Sequence, residues 1–97
     1  MDKLNIEDLV YVKLDDEVQY VYLSNGNSIA IDKSELDLNI ELSKYRCIFE
    51  CDNIYLINIE YISDIVKNKV TLNHNIVISL SNTALLKLKM AYFEYHY

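Results

Sequence analysis

Proline is absent from this 97-residue sequence, and Gly26 is its only glycine. Chain reversals must therefore rest on Asn, Asp and Ser, which tolerate the left-handed region or hydrogen-bond their own backbone. Tryptophan is missing and there are only two histidines, His74 in an expected turn and His96 near the last residue. Two cysteines, Cys47 and Cys51, complete a poor set of metal ligands, and no metal site is expected. Four residues apart on one strand, these thiols would lie about 13 Å from each other, too far for a disulfide. Both are expected to be reduced and mostly buried.

Positive charge is also scarce. Lys and Arg number 9 against 15 Asp and Glu, for a formal net charge of −6. That balance argues against a general polyanion binder and against an anionic membrane as partner. No apolar run reaches the ~18–20 residues of a bilayer span, and the opening "MDKLNIEDLV" has no apolar stretch of the signal-peptide kind. A soluble, cytoplasmic protein with no membrane partner is expected.

What is abundant is β-forming. Hydrophobic residues make up 52% of the chain, nine residues are Tyr, and Ile and Val are frequent. The length suits one domain, residues 1–97, around a single core, because two separate cores would be too small. "DLVYV" (Asp8 to Val12) reads as a strand, "KLDDE" as a charged turn and "VQYVYL" (Val18 to Leu23) as a second strand. "SNGN" suits a type I′ hairpin and "SIAI" (Ser28 to Ile31) is the return strand, which predicts a three-stranded meander.

In "DKSELDLNIELSK" Leu36, Leu38, Ile40 and Leu42 alternate as in a strand but also meet i,i+4 spacing. Ser34 as N-cap, with Glu35 and Asp37 in the first turn, favours a short helix. "CIFE", "IYLIN", "YISDIV", "VTL" and "IVISL" follow as strands, with Glu50, Cys51, Asp52 and Asn53 as an acidic corner between the first two. In "YISDIV", Ile62, Asp64 and Val66 alternate with Ser63 and Ile65. From Ser81, a cap residue, Leu85, Leu88 and Tyr92 mark the inner face of a C-terminal helix. Tyr92, Phe93, Tyr95 and Tyr97 cannot all face one core from that helix, so part of this aromatic tail is a candidate interface.

Chemistry-bearing motifs are lacking. There is no Gly-rich phosphate loop, nucleophile triad or metal spacing, and Asp15, Asp16 and Glu17 lack the spacing and the glycine of a calcium loop. Neither an enzyme, a cofactor nor a small-molecule substrate is expected.

Phe49, the run Tyr55, Leu56, Ile57 and Asn58, the element "EYISDI" and the late hairpin "VTLNHNIVISLS" appear in a recognisable order. With "LNIEDLVYVKLDD", "SNGNSIAI" and "SELDLNIELSKY" ahead of them, the chain resembles the LytTR domain family over nearly its whole length. LytTR domains are the DNA-binding output modules of many bacterial response regulators. The resemblance implies a mainly β fold of small antiparallel sheets with a short internal helix, to which the residue pattern adds a C-terminal helix. It also implies contact with DNA major grooves at three places. In this sequence they are Asp15, Asp16 and Glu17; then Glu50, Asp52 and Asn53; then Asn82 and Thr83. Where the family carries Arg, His and Ser in the middle segment, this chain has Glu50, Asp52 and Ile54, while Asn53 keeps a residue type the family uses. Lys67, Lys69, Lys87 and Lys89 are the candidate relocated basic patch.

The resulting expectation is a stand-alone LytTR-type transcription-regulatory domain, with no receiver on this chain. DNA binding is implied by resemblance and weakened by the acidic substitutions. The alternative is a LytTR-fold protein-interaction module that does not bind DNA, either a dimer-forming modulator or a DNA mimic. Expected partners are duplex DNA, a second copy, or another LytTR-type regulator.

Overall fold

The computed structural model describes residues 5–97. Two antiparallel sheets dominate. Strands β1 (Leu9–Asp15), β2 (Val18–Leu23), β3 (Ser28–Asp32), β4 (Ile48–Cys51) and β5 (Tyr55–Asn58) form a five-stranded sheet in the order β3-β2-β1-β5-β4. Strands β6 (Ile62–Val66), β7 (Lys69–Leu72) and β8 (Ile76–Ser79) form a three-stranded meander. A one-turn helix α1 (Leu38–Glu41) bridges β3 and β4, and helix α2 (Asn82–His96) closes the described chain. The expected meander of the first three strands is present. Its first strand, however, runs on through Lys13, Leu14 and Asp15, because pairing with β2 continues to Asp15 opposite Val18. Only Asp16 and Glu17 remain as the turn.

The "SNGN" loop departs from the expected type I′ turn, which needs positive φ at both central residues. Only Gly26 has positive φ (90°) there; the Gly26 N–H donates to the Leu23 carbonyl and the Leu23 N–H to the Asn27 carbonyl. This is a three-residue loop whose last residue takes the left-handed position. The true double left-handed turns are at Asp52–Asn53 (φ 56° and 57°) and Asn73–His74 (φ 51° and 69°). Asx and His side chains are the ones that tolerate that region when glycine is scarce.

The short helix exists but starts later than expected. Asp37 is its N-cap, its side chain accepting from the Asn39 and Ile40 N–H groups. Ser34 instead donates its N–H and hydroxyl to Asp32 Oδ1, at 2.9 and 2.8 Å, in a turn just after β3. The acidic corner is also narrower. Glu50 and Cys51 lie within β4, and the turn is Asp52, Asn53 and Ile54. Cys47 sits in the turn before β4 rather than on the strand with Cys51, and both thiols are free.

The expectation of a single core is corrected, since buried residues fall into two clusters. One, with Leu9, Val12, Val21, Leu38 and Leu56, lies under α1. The other, with Val10, Ile57, Val70, Leu72 and Leu88, lies between the two sheets and α2. Neighbours such as Leu56 and Ile57 point to opposite clusters because strand side chains alternate. Val10 is an extra residue in β1, between the pairs Leu9–Leu23 and Tyr11–Tyr22. That bulge lets both Leu9 and Val12 reach the same cluster although they are three apart. A second bulge, at Ser63, breaks the expected alternation in β6, so that Ile62 and Ile65 both pack inward.

Two buried polar side chains join these parts. Gln19 donates to the Leu36 carbonyl at 2.7 Å and accepts from the Leu38 N–H at 2.8 Å. It thus fixes the start of α1 and satisfies a helix donor that would otherwise be orphaned. Asn58 donates to the Leu9 carbonyl at 2.8 Å and accepts from the Glu60 N–H at 3.0 Å. No buried side-chain polar atom among the described residues lacks a partner.

Candidate nucleic-acid interface

The turns singled out in the sequence are separated along the chain, and the fold brings them together. Antiparallel pairing of β1 with β5 sets the β1–β2 turn beside the β4–β5 turn, and the Leu14 N–H donates to the Ile54 carbonyl at 2.6 Å. Asp16 and Asn53 consequently line one shallow groove, along with Lys33, Asp37 and Asn39. On its other side the β4–β5 turn meets the start of α2. Asp52 Oδ2 accepts from the Ser81 N–H at 2.9 Å and Oδ1 from the Ser81 hydroxyl at 2.6 Å. Ser81 Oγ in turn accepts from the Ala84 N–H at 3.1 Å, which is the N-cap bond of α2. Asp16, Glu17, Asp52 and Asn53 therefore occupy adjoining turns, with Asp15 and Glu50 on the strands that lead into them and Asn82 and Thr83 in the first turn of α2.

The carboxylates of the acidic corner have intramolecular work. Glu50 Oε2 accepts from the Asn53 N–H at 2.7 Å, which pins the left-handed turn. Asp52 holds Ser81, and those hydrogen bonds keep its carboxyl below the usual carboxylate range. Asp15, Asp16 and Glu17 are exposed. Lys33 lies against this acidic turn, and its N–H donates to the Glu17 carbonyl at 2.7 Å. The only ion pair among the described residues, Lys44 with Glu41, lies elsewhere on α1 and the turn that follows it.

The candidate cations are split. Lys67 and Lys69 flank Asn68 in the β6–β7 hairpin, and the Asn68 carbonyl accepts from the Leu80 N–H at 3.0 Å. Consecutive residues thus tie the start of α2 to two turns of opposite charge: Leu80 to the Lys67–Lys69 hairpin, Ser81 to the Asp52 turn. Lys87 and Lys89, two apart on α2, point about 160° apart and cannot serve one surface together.

In the aromatic tail, Tyr92 and Tyr95 pack against the core between the sheets, while Phe93 and Tyr97 are exposed. Sequence reasoning did not single out Gln19, Asn58 as a buried tie, Lys33, or the exposed Leu86 and Met90. For the last two the signal was present, as spacings of four, three and four from Leu86 through Met90 and Phe93 to Tyr97. For Gln19 it was absent, since a glutamine in an alternating strand reads as solvent-facing.

No model of a known protein family matches the sequence, and no curated protein matches it. Among solved structures, the chain superposes on the LytTr DNA-binding domain of a methyl-accepting/DNA response regulator from Bacillus cereus, with a TM-score of 0.71. The match covers 91% of this chain and 84% of that one at 13% identity. The likeness is one of fold, and this chain has a LytTR-like fold: two antiparallel sheets, short helices and a C-terminal helix. No helix among the described residues is long and apolar enough to cross a membrane.

Proposed function

We propose that the chain is a transcription-regulatory domain of LytTR type that meets duplex DNA weakly, through the adjoining turns at the start of α2. The observation that carries this reading is the joining of those turns, by Leu14 to Ile54 on one side and Asp52 to Ser81 on the other, within a LytTR-like fold. DNA binding is the named property of the Bacillus cereus domain and is carried over here as part of the proposal. Weakness follows from charge. Asp15, Asp16, Glu17, Glu50 and Asp52 supply carboxylates where phosphate binding calls for cations, and Asn82 and Thr83 are neutral. Lys33 lies among the carboxylates of the groove, and the cations left to meet phosphate are Lys67 and Lys69, whose hairpin is tied to Leu80 beside Ser81.

Fluorescence anisotropy with a random duplex pool, and with the fragment upstream of the gene, tests this. Two lysine–phosphate contacts predict saturable binding at about 50 mM salt that weakens roughly tenfold at about 200 mM. Lys67→Glu with Lys69→Glu should abolish it. Absence of binding at the lower salt sinks the proposal.

A second reading has its own supporting observation, the same carboxylates gathered on adjoining turns. Such an edge suits a basic protein surface, such as the DNA-facing side of another LytTR-type regulator, and would make the chain a DNA mimic. Competition with DNA for such a regulator, in a chain that fails the anisotropy test, is the outcome that selects it.

A further inference from the structure

Helix α2 is apolar on two opposite faces, and only one of them is used. Ala84, Leu85 and Leu88 are buried against the sheets, with Tyr92 and Tyr95 half-buried beside them. On the far side Leu86, Met90, Phe93 and Tyr97 are 63%, 58%, 62% and 93% exposed. At 100° per residue these four fall within about 60° of one another. The Phe93 and Tyr97 rings lie 5.8 Å apart, centroid to centroid, so the lower end of the stripe is a continuous aromatic surface. Isolated exposed apolar residues need no explanation, but a stripe over the length of a helix marks an interaction surface.

We infer that this stripe is a helix–helix interface with a second copy of the chain, in antiparallel arrangement. Spacings of four, three and four are those of the a and d positions of a helical seam. Two copies related by a two-fold axis between Met90 and Phe93 place Met90 opposite the partner's Phe93 and Leu86 opposite the partner's Tyr97. Each large side chain then meets one of similar bulk. The flanks agree. Lys87 and Glu94 lie on the same side of the stripe, and an antiparallel two-fold brings like sides together. Lys87 of each copy therefore reaches the partner's Glu94, giving two symmetric pairs of opposite sign. A surface that answers its own charges on that flank and its own volumes along the seam fits a second copy, as the self-complementarity of a two-fold interface requires.

The area available is modest. The stripe with its flanks offers roughly half of the ~800 Å² per partner of a standard interface. The dimer is therefore a weak one. This inference does not rest on the DNA reading, because the stripe lies on the side of α2 away from the core and involves none of the acidic turns.

Sedimentation equilibrium of the full chain between about 5 and 500 µM should show a monomer passing to a dimer. Leu86→Glu and Phe93→Glu should each remove the dimer while leaving the circular dichroism unchanged, since both positions are exposed. The orientation has its own test. Lys87→Glu alone and Glu94→Lys alone should each weaken self-association at least tenfold, and an equimolar mixture of the two variants should restore it, because each chain then supplies the sign that the other has lost. A chain that stays monomeric at 500 µM overturns the inference. So does a dimer that survives Leu86→Glu and Phe93→Glu. A dimer lost in those two variants but not restored in the mixture overturns the antiparallel arrangement.

Discussion

Asp52 and Ser81, 29 residues apart in sequence, are joined by two hydrogen bonds, from the Ser81 N–H at 2.9 Å and its hydroxyl at 2.6 Å to the two oxygens of one carboxylate. The β4–β5 turn is thereby clamped to the first residue before α2. An acid that reads in sequence as misplaced in a DNA-facing loop is, in the fold, part of a helix start.

This clamp predicts an acid dependence. Hydrogen bonds from Ser81 hold Asp52 below its ordinary value, and the Ser34 N–H and hydroxyl do the same for Asp32. A lowered folded pKa supports the fold above the unfolded value of about 3.9 and loses that support as pH falls through the folded value. Thermal unfolding followed from about pH 6 to pH 2 should show the melting temperature falling most steeply below about pH 4. Asp52→Asn, which keeps a residue tolerant of φ 56°, should lower stability at neutral pH and flatten that decline. Ser81→Ala should cost about 1 kcal/mol as a lost N-cap, and the two changes together should cost less than their sum.

On the proposed reading, affinity for DNA should rise without any change to the clamp. Asp15, Glu17 and Thr83 are exposed, and none donates or accepts a side-chain hydrogen bond within the described residues. Asp15→Lys, Glu17→Lys and Thr83→Arg together should raise affinity for duplex DNA at least tenfold at about 50 mM salt and steepen its salt dependence by up to ~0.9 log unit per new phosphate contact. The melting temperature should hold. Asp16 is left in place because its φ of 47° suits Asp better than Lys. An unchanged salt slope in a folded triple variant would place the DNA contacts elsewhere.

Gln19 and Asn58 are the buried polar ties of the fold. Gln19→Leu strands the Leu38 N–H, and Asn58→Leu strands the Leu9 carbonyl and the Glu60 N–H. Each should destabilise by about 2–3 kcal/mol, the cost of buried groups left unpaired. Urea unfolding should show a lower midpoint with an unchanged slope.

The cysteines should be slow to react. Burial, aided by the charges of Glu50 and Asp52, pushes the Cys51 thiol up to about 12, and burial also raises Cys47. Thiolate is the reactive form. Labelling with a disulfide reagent at neutral pH should modify Cys47 slowly and Cys51 only on unfolding. Rapid modification of Cys51 in the native protein would contradict its burial.

Local periodicity and local hydrogen bonding were readable directly. Alternation placed the strands, Ser81 capped α2 as a residue of its type should, and Leu85 and Leu88 marked that helix's inner face. The aromatic tail was also divisible in advance, because residues around one helix turn cannot share a side. These features depend on neighbours within a few positions, where geometry is set by the chain itself.

Other features belong to the tertiary structure. Bulges at Val10 and Ser63 change which residues face inward, and a bulge is visible only once the partner strand is paired. Ser34 and Asp37 are both good caps, and contact with Gln19 from β2 decided that α1 begins at Leu38. The acidic turns became neighbours only through the pairing of β1 with β5 and the bond between Asp52 and Ser81. Composition determined by itself that this would be a β-rich chain with few cations and turns built on Asn and Asp. Which carboxylates are spent inside the molecule, and which remain for a partner, was decided by contacts between segments far apart in sequence, whose hydrogen bonds exist only when both are in place.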